Sequence, residues 1–374
     1  MKINILDAGI RHLAGHHYDY GIKLVRELVS AGHDLHVYGA SLMEDEVAAH
    51  FGALAPVSKH FTIWPHTLPE KYDFYAGSFV QHRVEPPVIA RDLMKVRSAD
   101  LWIFPTIWAQ EIAACAIMGV DVPVVGCVYW DPGIEWKSDD ARFLRSALLL
   151  AHSARVDITL TSVEPEMRNR FLPIMPDGNF VTVPQPVDGP PLPEAKNELK
   201  RIGFFGHQRA EKGTTVLQRL LPRLIQDGYS ITYQDSFTKI DLPDLPGVER
   251  LGFVPDIAEA IAECDLVILP YDVDPYRARG SGIVVECLAL GVPVTAPVGT
   301  LPGRTIAKHG VGPLFSIPRA QPVYNAIKVA DRNFATFATN AHKTAVHFAA
   351  RNGSARFANA LVAAAKSRTR PFAA

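Results

Sequence analysis

Two short stretches carry residue types that could do chemistry together. In the first, Gly206-His207-Gln208-Arg209-Ala210-Glu211-Lys212-Gly213, two cations three residues apart are bracketed by glycines. Glycine lets a backbone come close to a ligand, and the apolar spacing after Gly213 predicts a helix. A helix start disfavours positive charge, so Arg209 and Lys212 placed there point to an anion between them. The plain alternative is two solvated cations. In the second stretch, Tyr276 to Val294, a polar and basic segment passes through Gly280-Ser281-Gly282 into an apolar run. That run holds one carboxylate, Glu286, and stops at Gly291-Val292-Pro293. Serine or glycine before the run and glycine after it predict a helix from about Ser281 to Leu290. Backbone N–H groups at Ser281, Gly282 and Ile283 would then face a phosphate. Glu286 lies one turn inside on the side of Gly282, where it could accept hydrogen bonds from hydroxyls of the same ligand. Phosphate and hydroxyls so arranged describe a nucleotide or a nucleotide sugar. The spacing equally fits an ordinary strand–turn–helix unit, with Glu286 serving the dipole or pairing with an arginine.

The N-terminal half offers a second set. His16 and His17 follow the first predicted strand, where either could hydrogen-bond a sugar or cap the next helix. Tyr129-Trp130-Asp131-Pro132-Gly133 follows another strand, with Glu135-Trp136 close behind. Two tryptophans beside two carboxylates suit stacking on a sugar, with Asp131 taking a hydroxyl proton. A packed turn would use the same residues. Asp272-Val273-Asp274 has the spacing of a metal-binding carboxylate pair, but so short a pattern arises by chance. We read Asp272 as a contact to the ligand and expect no metal.

The elements that must position these residues alternate. Lys2 to Asp7 reads as a strand, the segment from Tyr18 to Gly32 as a helix and Asp34 to Tyr38 as a strand, which makes a βαβ unit and a parallel sheet. Strands are expected at 100–105, 122–129, 157–161 and 180–184, with helices at 108–118, 142–153 and 164–172. A strand near 61–64 and a helix near 88–96 complete the first half. Gln185 to Asn197 carries four prolines and no periodicity, so it reads as a linker. A second series follows, with strands at 201–205, 230–234 and 265–270 and helices at 214–226 and 257–263. The alanine-rich tail from about Ala320 is helical. The fold class is α/β: two Rossmann-like doubly wound domains facing a cleft, as such sheets bind ligands beyond their strand C-terminal ends.

Composition excludes several function classes. The chain has 374 residues with 38 basic against 39 acidic side chains, so no basic field argues for nucleic acid. No apolar run is long enough to span a membrane, and the start is too quickly polar for a signal peptide. The 4 cysteines sit in apolar stretches without metal spacing, as buried thiols of a cytoplasmic protein would.

Four patterns, in order along nearly the whole chain, resemble the glycosyltransferases of the GT-B architecture, close to glycosyltransferase family four. They are Val183-Pro184-Gln185-Pro186-Val187-Asp188; Phe205-Gly206 through Lys212-Gly213; Leu251-Gly252-Phe253-Val254; and Glu286 with Gly291-Val292-Pro293-Val294. The resemblance implies an acceptor domain over 1–188, with terminal helices at about 351–368 packing back on it, and a nucleotide-sugar domain over 189–350. It implies a hexosyl transfer from a nucleotide-diphosphate sugar, such as a UDP- or GDP-sugar, to a hydroxyl of a carbohydrate, lipid-linked or other acceptor. Retention at the anomeric carbon goes with it, without a metal and without a cofactor beyond the sugar-nucleotide co-substrate. By the same resemblance Arg209 and Lys212 would hold the diphosphate and act in catalysis, Glu286 would hold the ribose, and Gly206, Ser281, Gly282 and Ile283 would line the donor site. From the residue types alone, and not from the resemblance, His17 and Asp131 would act at the acceptor, with His16, Trp130 and Glu135 binding it. Membrane association would be at most weak and peripheral, at the inner face of the cell membrane.

The chain departs from the family at two places, and at the first of them the N-terminal loop has Ala14-Gly15-His16-His17 instead of the family's common double glycine. Where the family carries a first glutamate, eight positions before the second, stands Ala278, and the loop offers Asp272, Tyr276, Arg277 and Arg279 instead. Two rival readings therefore stay open: a nucleotide-sugar epimerase on the same fold, and a donor-binding protein without transfer activity.

Overall fold

The computed structural model describes residues 1–13, 15–63, 80–129, 138–175, 178–188, 196–206, 210–235, 245–252, 254 and 257–366. The chain divides into two compact units, one of residues 1–186 with the stretch from Ser354 onward, the other of residues 187–353.

Unit 1 is built on seven parallel strands: β1 (Lys2–Leu6), β2 (Asp34–Ala40), β3 (Val57–Phe61), β4 (Leu101–Phe104), β5 (Val124–Cys127), β6 (Ile158–Ser162) and β7 (Phe180–Thr182). Their order across the sheet is β3-β2-β1-β4-β5-β6-β7, so the chain reverses direction between β1 and β4. Helices α1 (Gly15–Ser30), α2 (Asp45–Gly52), α3 (Glu85–Leu93), α4 (Ala109–Met118), α5 (Ser138–Ser153) and α6 (Pro165–Phe171) connect them. Parallel strands covered on both faces must be apolar throughout, and β4 and β5 are buried at every position. One face packs Ile89, Leu93, Ile112 and Leu144 of α3, α4 and α5. The other packs Leu24, Val25 and Leu28 of α1 with Val47 and Phe51 of α2.

Several boundaries differ from those expected, among them the start of α5, which begins at Ser138, four residues early. The third strand is Val57–Phe61, earlier than expected. Helix α3 starts at Glu85 and takes Pro86 and Pro87 into its first turn, where a missing N–H costs nothing. Helix α1 starts at Gly15, so His16 and His17 lie in its first turn rather than in the preceding loop. Apolar periodicity is blind to that turn, which faces away from the core.

Unit 2 has six parallel strands: β8 (Arg201–Phe204), β9 (Ser230–Gln234), β10 (Val248–Leu251), β11 (Leu266–Ile268), β12 (Val294–Pro297) and β13 (Leu314–Phe315). Their order is β10-β9-β8-β11-β12-β13, again reversing beside the first strand of the series. The helices are α7 (Thr214–Gln226), α8 (Ile257–Ala262), α9 (Gly282–Leu290), α10 (Leu301–His309), α11 (Ala320–Arg332) and α12 (Phe334–Ala349). Helix α7 buries Val216, Leu217, Leu220, Leu221 and Leu224 along one stripe. Truncating one such leucine to alanine costs about 2–5 kcal/mol.

After Gly353 the last helix, α13 (Ser354–Lys366), belongs to unit 1. Phe357, Ala358, Leu361 and Val362 join the core formed by α1, and the Phe357 ring lies 6.5 Å from that of Tyr20. Among the described residues no helix is long and apolar enough to cross a membrane. All four cysteines are free and buried.

Candidate functional site

In unit 2 the site residues stand on three elements that meet at the C-terminal ends of the two central strands, β8 and β11. The first is the turn after β8. Gly206 has φ +96°, a region L side chains rarely adopt, and its N–H donates to Gln234 Oε1 at 2.9 Å. A Cβ on Gly206 would lie 2.9 Å from Lys212 Nζ and 3.6 Å from Ile283 Cγ1. The ammonium therefore rests over a bare α-carbon, beside the first turn of α9. Lys212 closes a single 3₁₀ turn, Ala210–Lys212, before Gly213, which has φ +79° and caps α7. Gly213 is pressed against Pro270, whose carbonyl would be 2.3 Å from a Cβ there. Only glycine fits that contact, and it locks the turn after β8 to the end of the strand pair β11–β12.

The second element is the loop after β11. Its rings pack inward: Tyr271 and Tyr276 stack at 4.1 Å between centroids, and Tyr271, Tyr276 and Ala278 are all buried. Leu301 N–H donates to the Tyr276 carbonyl at 2.8 Å, and the Arg304 guanidinium donates to the carbonyls of Arg277 and Gly299 at 2.8 and 3.2 Å. Arg277 pairs with Asp274 at 2.6 Å on the exposed side, a contact worth little by itself. Asp272 is exposed, and its N–H reaches the Glu211 carbonyl at 2.8 Å, which ties the second loop to the first. Partial burial, then Glu211 and Asp274, push its carboxyl above the usual range. Tyr276 thus forms the wall behind the loop, with little ring surface showing.

The third element is α9. Ser281 is its N-cap residue, with extended backbone, and Gly291 ends it at φ +68°. Val284, Val285, Cys287, Leu288, Ala289 and Leu290 are buried. A helix so apolar must be packed almost all round. The exceptions are Gly282, Ile283 and Glu286, which share one side, since residues four apart lie above one another. Ser281 does not cap in the usual manner: its hydroxyl pairs with Tyr271 Oη at 3.1 Å, and its side chain accepts no N–H of the helix. The Tyr271 ring also lies 5.6 Å from Lys212 Nζ. Gly206, Lys212, Ser281, Gly282, Ile283 and Glu286 are therefore brought to one place. Arg209 lies outside the described residues.

Unit 1 carries a different arrangement at the strand end where its sheet reverses. Asp7, directly after β1, is buried, and its carboxylate lies 2.8 and 3.0 Å from His17 Nδ1 while also accepting the Gly9 N–H at 2.8 Å. A Cβ on Gly9 would sit 2.3 Å from the His17 ring, so Gly9 makes room for it. A carboxylate at Nδ1 selects the tautomer protonated there and leaves the basic lone pair at Nε2. The His16 ring stands 4.1 Å from that of His17 and 5.2 Å from that of Tyr129. Trp130, Asp131 and Glu135 lie outside the described residues.

Two further acids of unit 1 are buried, Glu111 and Glu85, and Glu111 feels the charges of Asp7 and Glu85. Glu111 accepts the Trp108 N–H at 2.7 Å at the start of α4, and burial drives its carboxyl well above the usual range. Burial likewise pushes Glu85 up to about 7, partly offset by a hydrogen bond with Gln110. Sequence reasoning passed over Asp7, Gln234 and Tyr271. Asp7 had a signal, a carboxylate ending an apolar strand just before a glycine. Gln234 and Tyr271 had none, because their partners are 28 and 10 residues away.

No protein-family model matches the sequence, and no curated protein matches it either. Solved structures do match the fold over nearly the whole chain. Two parallel sheets of seven and six strands, each covered by helices, are the GT-B fold of glycosyltransferases. HepE of Anabaena, solved in complex with UDP-glucose, is similar with a TM-score of 0.69 at 17% identity, covering 98% of this chain and 100% of its own. Sucrose-phosphate synthase of Thermosynechococcus elongatus gives 0.67 at 13% identity, with 98% of each chain covered. The calicheamicin glycosyltransferase CalG4 gives 0.60 at 17% identity, covering 98% of this chain and 99% of its own.

Proposed function

We propose that this chain is a glycosyltransferase that moves a sugar from a nucleotide-diphosphate sugar to an acceptor hydroxyl, without a metal or further cofactor. One observation carries the reading. In unit 2 an ammonium, the start of a helix and a carboxylate one turn along that helix share one place. A diphosphate placed against the ammonium and the positive end of the helix dipole is favoured by both. Lys212, with Arg209, would neutralise the charge that grows on the diphosphate as the sugar–oxygen bond breaks, and Glu286 would accept from the ribose hydroxyls. Gly206 allows the approach, and Asp272 stands beside the sugar. HepE, of the same fold, was solved with UDP-glucose, which favours a UDP-sugar as the first donor to try.

The resemblance of the four sequence patterns supports retention. The acceptor oxygen would then bond the anomeric carbon on the face the diphosphate leaves, and its proton would pass to a diphosphate oxygen. A specific observation favours a second reading, inversion. His17, oriented by Asp7, has its lone pair at Nε2 and could take the acceptor proton directly. The acceptor, bound by unit 1 residues including His16, Trp130, Asp131 and Glu135, would then attack from the opposite face. Thermal-shift screening with UDP, GDP, ADP and dTDP would identify the donor base. The anomeric proton coupling of the product by NMR then decides: the donor's configuration means retention, the opposite one means inversion with His17 as base.

A further inference from the structure

Ser281 stands where helices place a capping side chain, and serine is among the best residues for that role. A capping serine accepts an N–H of the first turn, which would set its oxygen against the donors that a phosphate needs. Here that does not happen, and the reason is visible. The Ser281 hydroxyl is 3.1 Å from Tyr271 Oη. Tyr271 is buried and its ring is clamped by Tyr276, so it cannot follow the serine elsewhere. Burial also keeps the phenol protonated, pushing it far above its ordinary range. The same ring lies under Lys212 Nζ at 5.6 Å.

We infer that Tyr271 is a positioning residue of the anion site: by holding the Ser281 hydroxyl, it withholds the cap from α9 and keeps the first-turn N–H groups for a diphosphate. This rests on the donor site proposed above and deepens it. Its chemistry is a competition. Freed from Tyr271, Ser281 can rotate onto the N–H of Ile283 or Val284, satisfying the helix from within. A diphosphate would then have to displace the cap before it could bind.

A cap of this kind is worth a factor of about two to thirty in an equilibrium constant. Tyr271→Phe removes only the hydroxyl and leaves the ring for Tyr276 and Lys212. UDP, with GDP and ADP in parallel, is titrated calorimetrically into the wild-type chain, Tyr271→Phe, Ser281→Ala and the double variant. The expected result has three parts. Tyr271→Phe weakens UDP binding about two- to thirtyfold. Its melting temperature stays level or rises, because the helix has gained a cap. In the Ser281→Ala background the same tyrosine substitution has no effect on affinity, since no hydroxyl is left to compete. A merely structural tyrosine would behave otherwise: Tyr271→Phe would melt earlier and weaken UDP equally with or without Ser281. That result overturns the inference, as does unchanged affinity in Tyr271→Phe. Failure of the wild-type chain to bind any of the three diphosphates overturns the donor site itself, and the inference with it.

Discussion

Gly206→Ala is the sharpest probe of how the anion site is built. A methyl group at this position meets two obstacles. The backbone sits at φ +96°, outside the region that L residues favour, so the substitution strains the turn by roughly 1–3 kcal/mol. The new Cβ would also lie 2.9 Å from Lys212 Nζ, well inside contact distance. Backbone cannot yield there, because the Gly206 N–H is pinned to Gln234 and Gly213 is pressed on Pro270. The ammonium is the far end of a flexible chain, so it moves. If it grips a diphosphate, its displacement removes a charge-assisted hydrogen bond worth about 1.5–3 kcal/mol, or roughly ten- to a hundredfold in affinity. UDP titration of wild type, Gly206→Ala, Lys212→Ala and the double variant separates the two effects. The loss of affinity in Gly206→Ala should be nearly as large as in Lys212→Ala, and the double variant should bind no worse than Lys212→Ala alone. The loss of stability should persist in both backgrounds. Full additivity of the two affinity losses would refute the reasoning, because it would mean that the glycine acts on binding by a route other than the lysine.

Three more outcomes follow from the same geometry. If Glu286 accepts from ribose hydroxyls as proposed, Glu286→Gln keeps the shape of α9 but loses those charge-assisted bonds, so UDP affinity should drop about ten- to a hundredfold with the melting temperature nearly unchanged; an early melt with normal binding would make Glu286 a structural ion-pair member. Asp7→Asn keeps a partner at His17 but reverses the tautomer preference, so under the inverting reading turnover should fall by at least a hundredfold while UDP binding stays intact; unchanged turnover would leave His17 out of proton transfer. Glu85 is held up to about 7 by burial against an ordinary value of 4.5. The folded state therefore keeps a proton that the unfolded state releases, and its contribution to stability is whole below pH 4.5 and lost as pH rises to about 7. Glu85→Gln, which preserves the bond with Gln110, should be no more stable than wild type at pH 4 and clearly more stable at pH 8 by denaturant titration; parallel curves for the two proteins would contradict the assignment.

The fold was largely legible because its strands are buried on both faces. Runs such as Leu101–Phe104 and Leu266–Ile268, cut off by proline and separated by amphipathic helices, leave few arrangements other than parallel doubly wound sheets. Elements that break those rules escaped. Helix α10 (LPGRTIAKH) begins with Pro302 and Gly303, which look like a turn. Gly303 is there because a Cβ would lie 2.2 Å from the Pro297 carbonyl, a tertiary reason that no local pattern displays. Strand β10 lies at the sheet edge with Glu249 and Arg250 exposed, and its VERL sequence shows no apolar run. The site followed the same division. Ser281, Gly282 and Glu286 could be placed on one helix by spacing, and Gly206 and Lys212 on one turn. That Lys212 lies over Gly206, beside Ile283, depends on Pro270 and Tyr271 from the loop after β11. The supports, Gln234 and Tyr271, lie on elements that meet only when the sheet forms, and the Asp7–His17 pair depends on α1 beginning three residues earlier than its apolar stripe.

The central claim is transfer to an acceptor, and acceptor-dependent turnover tests it most directly. The full chain is incubated with UDP-, GDP-, ADP- and dTDP-linked hexoses, with and without a panel of carbohydrate and lipid-linked hydroxyl acceptors, and both products are followed by mass spectrometry. The expected result is one nucleotide class consumed only when an acceptor is present, with nucleoside diphosphate and glycosylated acceptor appearing in equal amounts. A donor that is isomerised without acceptor, or bound tightly and never released as diphosphate, would contradict it.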